Sequence, residues 1–295
     1  MAFDISAEIY PYTGQYFVRE GLKLHYLDEG EGEAVVMVHG NPSWSIYYRN
    51  LVKSLKDTHR CIVPDHMGCG LSDKPNDDEY TYTLENRVDD LDVLLDSLEI
   101  RDNITLVVHD WGGMIGMAFA TRHPDRIKRI VVLNTSAFHL PKTEKLPLGI
   151  WICRNTFLGT LLVRGFNAFS AGAASVGCKR NPMSRELQKA YRAPYNSWKN
   201  RIATVRFVQD IPLNPGDPGY EIVQAVQDNV KQFSDTPILI CWGMKDFVFE
   251  PYFLKLWEEN LLHAEVHRYD DCGHYILEDA QDEVVPLITD FIQQR

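Results

Sequence analysis

Residues 104–119 read ITLVVHDWGGMIGMAF and hold the sharpest structural signal in the chain. The first six are a β-branched apolar run of strand length, and Gly112-Gly113 opens an apolar segment with helical spacing. Asp110 therefore falls on a sharp turn from strand to helix. A small residue two positions later, here Gly112, is typical of a nucleophile elbow, although Val108 stands where the serine version has its first glycine.

An aspartate at this turn points to covalent catalysis. A carboxylate is ionised near neutral pH, so Asp110 can attack carbon without a base and leave an ester on the protein. A second step must clear that ester, which requires a histidine late in the chain and an acid that orients it. The competing interpretation is that Asp110 only caps the following helix, because aspartate is a favourable N-cap residue.

The composition indicates an ordinary globular protein, and 295 residues suit an α/β core with an inserted second unit. Lys plus Arg number 30 against 41 Asp plus Glu, and this net charge of −11 argues against nucleic acid or an anionic membrane as a partner. The six cysteines show no CxxC pair and no metal-ligand spacing with histidine, so we expect reduced thiols, no metal and a cytoplasmic location. We expect no membrane span, because no apolar run is long enough. We also expect no cofactor: the turn at 68–70 lacks the third glycine of a dinucleotide fingerprint.

Strands and helices alternate on both sides of the elbow. Helices are predicted at 49–56, 82–98 and 283–292 from apolar residues at helical spacing. Strands are predicted at 15–18, 22–27, 34–39, 61–65, 104–109, 130–134, 237–242 and 265–269. This alternation predicts an α/β fold with a mostly parallel eight-stranded sheet and helices on both faces.

The alternation breaks in the middle of the chain, where aromatic, arginine and proline residues are frequent and no buried strand is evident. We predict a helical cap over residues 138–230, inserted into a core formed by 1–137 and 231–295. Trp151, Phe169 and Trp198 are candidates to line an apolar pocket over Asp110. Packing inside the cap is the alternative use of these three side chains.

Three polar residues follow three of the predicted strands: Asp110 the fifth, Asp246 the seventh and His274 the eighth. In a doubly wound parallel sheet such strand ends share one edge, so the three can converge there. The order nucleophile, acid, base is that of α/β-hydrolases. We therefore expect Asp110 to attack carbon and His274 to activate the water that clears the ester. Asp246 would hold the His274 ring and stabilise its charged form.

Two further residues face the nucleophile in this arrangement. The backbone N–H groups of Asn41 and Trp111 are expected to hold the negative oxygen of the Asp110 carboxylate. Their side chains also offer N–H donors suited to a leaving anion. For Trp111 the alternative is plain packing.

The chain resembles the haloalkane dehalogenase family of α/β-hydrolases through nearly its whole length. The matching segments are HGNP at 39–42, DHMGCGLSDKP at 65–75, VHDWGG at 108–113, WGMKD at 242–246 and DCGHY at 271–275. The resemblance implies that Asp110, Asp246 and His274 form the triad and that Asn41 and Trp111 clamp the leaving group. An acid after the seventh strand, with Asn134 after the sixth, resembles subfamilies I and III.

The cap narrows the resemblance further. PYNSWKNRIATVRFVQDIPL at 194–213, KDFVFE at 245–250 and HYILED at 274–279 resemble the OleB-type β-lactone decarboxylases of bacterial long-chain olefin biosynthesis. This implies conversion of a small apolar substrate, a cis-β-lactone with two alkyl chains, to a cis-alkene and carbon dioxide. It also implies assembly with a β-lactone synthetase and a reductase, and hence an oligomer. Asp110 can attack either the lactone carbonyl or the ring carbon that bears oxygen, and the residues do not choose between them.

Other functions remain as alternatives. A subfamily III haloalkane dehalogenase would use the same residues to hydrolyse haloalkanes through an alkyl ester on Asp110. An epoxide hydrolase usually has an aromatic residue in place of Asn41, but Tyr191 and Tyr195 could serve as its ring-opening cap tyrosines. A serine esterase is excluded by Asp110, and a binding protein without activity would be favoured by a broken triad.

Overall fold

The computed structural model describes residues 5–294 of the chain. Eight strands form one sheet in the order β1-β2-β4-β3-β5-β6-β7-β8. The strands are β1 Gln15–Arg19, β2 Leu22–Glu29, β3 Ala34–Val38, β4 Arg60–Pro64, β5 Ile104–Asp110, β6 Ile127–Thr135, β7 Ile238–Gly243 and β8 Glu265–Tyr269. The pairs β1–β2 and β2–β4 are antiparallel and all other pairs are parallel. The predicted mostly parallel eight-stranded sheet is confirmed.

α-Helices lie in the segments between and after the strands. They are α1 Arg49–Leu55, α2 Leu84–Ser97, α3 Trp111–Arg122, α4 Leu148–Asn155, α5 Phe157–Thr160, α6 Ala168–Val176, α7 Arg185–Arg192, α8 Ile202–Gln209, α9 Tyr220–Asn229, α10 Pro251–Asn260, α11 Ile276–Asp279 and α12 Gln281–Gln293. The three helices predicted from periodicity correspond to α1, α2 and α12. None of the helices between residues 5 and 294 has both the length and the apolar composition needed to cross a membrane.

The central strands β3, β5 and β7 are buried at every position. Val36 and Leu106 pack on one face of the sheet with α2 and α3, and Met37 and Val107 pack on the other with α1 and α12. Because helices cover both faces, these strands are continuous apolar runs and not alternating ones.

Two of the predicted site residues lie at the point in the sheet where the strand order reverses. β3 and β5 are neighbours, and the chain extends from them toward opposite edges of the sheet. The loops that follow two such strands diverge and leave a crevice at their carboxyl ends. Asn41 follows β3 and Asp110 ends β5, so both residues lie at this crevice.

The chain between β6 and β7 is helical or loop, as predicted for the inserted cap. Side chains of α4, α6 and α8 cover Asp110. The division into a core of 1–137 and 231–295 and a cap of 138–230 remains a prediction. Helix α9, which that division assigns to the cap, packs against α3 of the core.

Buried polar contacts fasten the cap to the core. The guanidinium of Arg87 in α2 lies 2.7 Å from the Asp210 carboxylate after α8. The buried carboxylate of Asp279 accepts the backbone N–H of Lys179 in the cap at 2.7 Å and that of Gly273 in the core at 2.6 Å. Position 273 directly precedes His274, so Asp279 ties the cap to the histidine loop.

Candidate active site

The turn between β5 and α3 is sharp enough to need special residues. Asp110 has φ 52° and ψ −127°, a left-handed conformation that side chains rarely adopt. A Cβ at Gly112 would overlap the Val38 carbonyl oxygen of β3, which explains the small residue predicted there. The Thr135 hydroxyl at the end of β6 donates to the Asp110 carbonyl. The neighbouring strands therefore hold the elbow in place.

The Asp110 side chain does not cap α3, so the capping interpretation is not supported. Its Oδ1 accepts the backbone N–H of Asn41 at 2.6 Å, and the Trp111 N–H also donates to the carboxylate. Gly40 must be a glycine here, because a Cβ would overlap Oδ1. The two predicted backbone donors thus hold the nucleophile's own oxygen.

His274 and Asp246 meet as the sequence predicts. His274 Nδ1 lies 2.8 Å from Asp246 Oδ2, and His274 Nε2 lies 3.6 Å from Asp110 Oδ2. All three side chains are buried, at about one-twentieth of full exposure. The histidine therefore lies between the two carboxylates, with its Nε2 directed at Asp110.

Burial and charge shift the pKa values of this group. Burial raises the pKa of Asp110 to about 6, although His274 and the two backbone N–H donors oppose that rise. Burial would lower the pKa of His274, but the Asp246 carboxylate, and then Asp110, outweigh it and raise the pKa above its ordinary value.

Sequence reasoning gave no role to Asn134 beyond marking an alternative acid position. Its Nδ2 donates to Asp246 Oδ2 and to the Gly243 carbonyl, both at 3.0 Å, and its Oδ1 accepts the Gly243 N–H at 2.8 Å. Asn134 thereby joins the end of β6 to the loop after β7 and holds the acid. The available signal was an amide side chain at the end of an apolar strand.

His109 is the second residue that the sequence did not single out. Its ring packs on the His274 ring with centroids 4.6 Å apart, and its Nε2 lies 2.9 Å from the His274 carbonyl. Burial, reinforced by the neighbouring His274, holds the pKa of His109 well below its ordinary value. The neutral ring supports the histidine loop from beneath.

The side chains of Asn41 and Trp111 both lie at the cavity that contains Asp110. Asn41 Nδ2 donates one N–H to the Thr204 carbonyl of α8 at 3.1 Å, so the cap orients this amide. The Trp111 ring packs edge-on against Phe207 of α8, with centroids 5.2 Å apart. Trp111 therefore packs against the cap and also lines the cavity.

Two apolar cavities meet at Asp110. One encloses about 780 Å³ and the other about 1080 Å³, both counted to their open mouths. They share the six residues Asn41, Asp110, Pro147, Ile150, Phe169 and Val248. Apart from Asn41, Asp110 and His274, their walls are almost wholly apolar. Across residues 5–294 no group of His, Cys, Asp or Glu could hold a metal ion.

The structure corrects two of the three predicted pocket residues. Phe169 lines both cavities, but Trp151 and Trp198 line neither. Trp151 follows the inward-facing Ile150 by one helical position, so its side chain turns outward and is 49% exposed. Trp198 is 44% exposed and lies under the Arg164 guanidinium at 4.7 Å.

Tyr191 and Tyr195, the two candidate ring-opening tyrosines of an epoxide hydrolase, make other contacts in the structure. The Tyr195 hydroxyl donates to the Ser43 carbonyl at 3.1 Å, and the Tyr191 hydroxyl donates to Glu278 at 2.5 Å. Neither tyrosine lines either cavity. A hydroxyl that opens an epoxide must reach the substrate, so this arrangement disfavours that function.

Comparisons with known proteins identify the family of the chain. A family model described as the alpha/beta hydrolase fold matches residues 33–151. The chain is 64% identical over 284 residues to a cis-3-alkyl-4-alkyloxetan-2-one decarboxylase of Shewanella oneidensis, covering 96% of this chain and 89% of that protein. It is 48% identical to the protein of the same name from Xanthomonas campestris, over 94% of each chain. More distant relatives are named haloalkane dehalogenases.

A solved structure supports the fold. The haloalkane dehalogenase DatA from Agrobacterium tumefaciens matches with a TM-score of 0.84 over 96% of each chain, at 24% sequence identity. The fold alone is shared at that identity, whereas the similarity to the decarboxylases extends through the sequence of both core and cap. The chain belongs to the cis-3-alkyl-4-alkyloxetan-2-one decarboxylase family of α/β-hydrolase-fold enzymes.

Proposed function

We propose that this protein converts cis-3,4-dialkyl β-lactones, the oxetan-2-ones of its relatives' name, to cis-alkenes and carbon dioxide. The observation that carries the proposal is the Asp110 carboxylate, held by the Asn41 backbone N–H at 2.6 Å where two apolar cavities meet. A β-lactone with two alkyl chains matches that site in shape and polarity. The identity of 64% to the Shewanella oneidensis protein supports the same substrate class.

The first step forms an ester on Asp110. A carboxylate oxygen attacks C4 of the lactone from the side opposite the ring oxygen. The bond from C4 to the ring oxygen breaks, and that oxygen leaves as part of a carboxylate still attached to C3. Strain in the four-membered ring assists this cleavage. The donors Asn41 and Trp111 are positioned to stabilise the released carboxylate, in the way that donors stabilise a leaving anion.

The second step releases both products without water. The bond between C3 and the carboxylate carbon breaks, and its electron pair forms the double bond between C3 and C4. The ester bond from C4 to Asp110 breaks at the same time and returns its electron pair to the Asp110 carboxylate. Carbon dioxide and the alkene leave, Asp110 is regenerated, and no proton is consumed.

Stereochemistry follows from the direction of attack. Backside attack leaves the new bond to Asp110 opposite the bond that carries the carboxylate, which is the alignment that elimination requires. The two alkyl groups remain on the same side throughout. A cis-lactone therefore gives a cis-alkene.

The contacts of Asp110 favour attack at C4 over attack at the lactone carbonyl. Carbonyl attack would place a new oxyanion on the substrate, whereas the two backbone N–H groups bind the nucleophile's own oxygen. These donors stabilise the carboxylate that must be regenerated when the ester breaks. The apolar walls offer few donors to the substrate's carboxylate, so transfer of its charge to Asp110 is favourable.

In this reaction His274 balances charge beside Asp110, with its ring held by Asp246 at 2.8 Å. Its role as the base that activates water belongs to the second candidate function, haloalkane hydrolysis. That candidate is favoured by the same pair of side-chain donors, Asn41 and Trp111, next to Asp110 and by relatives named haloalkane dehalogenases. There the alkyl ester lacks a carboxylate to lose, so only water can clear it.

A paired turnover assay on the purified protein tests the proposal. A cis-dialkyl β-lactone is analysed for alkene and carbon dioxide, and 1-bromobutane is analysed for halide. We expect alkene with little halide, and no product of either kind from Asp110→Ala. Fast halide release with an untouched lactone would instead establish the dehalogenase.

We also propose that the protein works in the cytoplasm, in an oligomeric assembly with a β-lactone synthetase and a reductase. The family resemblance implies these partners, and the six free cysteines support a reducing compartment. Light scattering of the protein alone and mixed with a purified β-lactone synthetase tests the assembly. A monomer that gains no mass in the mixture would contradict it.

A further inference from the structure

Gly172 is one of two glycines in the cap, with Gly149, that have no evident packing or conformational reason to be glycine. Gly172 lies inside α6, where glycine is less stable than alanine. A Cβ at this position would meet no atom within 4 Å. Gly21 and Gly216 also have open space around them, but their positive φ values of 84° and 95° explain the residue. Gly172 instead lines the larger cavity.

Part of the wall of this larger cavity, called here the outer arm, consists of small residues. Ala168, Gly172 and Ala173 of α6 form one side, and Gly149 of α4, where a Cβ would again meet nothing within 4 Å, lies on another. Gly149 is itself exposed, and Val176 in the lining is 45% exposed. The outer arm therefore reaches from Asp110 to the protein surface.

The smaller cavity, called here the inner arm, is built differently. Buried side chains of both the cap and the core line it, including Phe138, Val223 and Phe253, which are 2%, 2% and 7% exposed. Trp111 lines only this arm, and His274 lines only the outer arm. The inner arm therefore ends among buried residues.

We propose that the two arms hold the two alkyl chains of the lactone separately, which rests on the proposed function. The inner arm takes one chain and limits its length. The outer arm, kept wide by Gly172, takes the other chain and lets it extend toward the surface. Both arms open on Asp110, so a lactone with its ring at the nucleophile directs one chain into each. Length selectivity is thus a property of one chain only.

The experiment uses lactones that differ in one chain at a time. One has a long chain at C3 and a methyl group at C4, a second has the reverse arrangement, and a third is the dimethyl lactone. Gly172→Leu adds a side chain to the outer arm, and Ser175→Leu adds the same side chain to an exposed position of α6 outside both cavities. Leu140→Trp narrows the inner arm, with Ile211→Trp as a second variant in case the first is unstable.

We expect a reciprocal pattern in kcat/KM. Gly172→Leu should slow one of the two single-chain lactones about tenfold or more, and Leu140→Trp should slow the other by a similar factor. Both variants should slow the dimethyl lactone much less than the single-chain lactone they obstruct, and Ser175→Leu should match the native protein throughout. In the native protein, lengthening should reduce kcat/KM for only one of the two chains.

Other outcomes separate this inference from the function on which it rests. If the native protein makes alkene, but each variant slows both single-chain lactones equally or neither, the assignment of separate arms is overturned and the function stands. If the native protein makes no alkene from any of the three lactones, the proposed function fails and the inference fails with it.

Discussion

Asp110 lies in surroundings that disfavour the charge it needs. Burial raises the pKa of its carboxyl to about 6, against the pull of His274 and of the Trp111 and Asn41 backbone N–H groups. An attacking carboxylate must be ionised, and a buried ion without full compensation reduces the stability of the fold. The chemistry and the stability of this residue are therefore opposed, and each is open to measurement.

The activity should depend on pH through this carboxyl. We expect kcat/KM for the lactone to fall as the pH decreases through about 6, because protonated Asp110 does not attack. A profile measured from about pH 5 to about pH 8 covers the transition. If kcat/KM instead fell only near the ordinary pKa of an aspartate, the proposed effect of burial on Asp110 would be wrong.

The free energy of unfolding should also depend on the Asp110 carboxyl, but it should decrease as the pH rises, whereas the activity increases. Since the pKa of Asp110 is higher in the folded than in the unfolded chain, its stabilising contribution is present at low pH and lost as the pH rises through about 6. Asp110→Asn removes that loss and should raise the free energy of unfolding at neutral pH by up to about 3 kcal/mol. Denaturant unfolding at acidic and neutral pH measures it, with Asp125→Asn as an exposed control. An equally large gain below pH 6 would argue against this cause.

Removal of His274 should separate the two candidate reactions. With a bromoalkane, His274→Ala should accumulate an alkyl ester on Asp110, because water then lacks its base. With a lactone, turnover should slow but no ester should accumulate, because loss of carbon dioxide clears the ester. Mass spectrometry of the intact protein after each reaction provides the measurement. A stable adduct from the lactone would show that water takes part in its clearance.

At the scale of the elements, the sequence predicted what depends on local spacing. The elbow followed from an apolar strand, an aspartate and two glycines within ten residues, and the helices from apolar periodicity. The role of Asn134 could not be predicted, because its partners Gly243 and Asp246 lie more than a hundred residues away. The exposure of Trp151 depends on the rotation of α4, which an aromatic-rich segment does not specify.

The same substitution in two helices should have opposite effects. Gly112→Ala at the start of α3 would drive a Cβ into the Val38 carbonyl, which is backbone and cannot move aside, and should cost about 1–3 kcal/mol or more. Gly172→Ala in α6 meets no atom and should add about 0.5–1 kcal/mol. Denaturant unfolding of the two variants side by side compares the signs. Equal changes in the free energy of unfolding for the two variants would contradict the close approach of Gly112 to the Val38 carbonyl.

Across the whole molecule, the site exists only because separate units come together. The order of the triad along the chain could be predicted, since parallel strand ends share one edge. The two cavities could not, because their walls come from α3, α4, α6, α8, α9 and α10 and from loops of both the cap and the core. The sequence of a helical cap segment with mixed polarity does not specify how the helix is oriented over the sheet.

The ion pair between Arg87 and Asp210 should contribute much of the stability that the contact between cap and core gives to the fold. Arg87→Met leaves the buried Asp210 carboxylate without its counter-charge and should reduce the free energy of unfolding by about 3–5 kcal/mol. Burial raises the pKa of Asp210 to about 6 even with Arg87 in place, so the loss should grow as the pH rises. The double variant Arg87→Met with Asp210→Leu should recover part of the stability. A single variant as stable as the native protein would assign the attachment to other contacts.

The elbow has a consequence for how such proteins diversify. Its shape depends on the closeness of Gly112 to Val38 and on the Thr135 hydroxyl that bonds to the backbone of residue 110. Neither contact involves the carboxylate of Asp110. A lineage can therefore exchange the reacting group at this position and inherit the same turn, the same crevice and the same histidine opposite it. In this architecture the backbone turn and the reacting side chain can change independently during evolution. One ancestral backbone can therefore give rise to enzymes that break unrelated bonds.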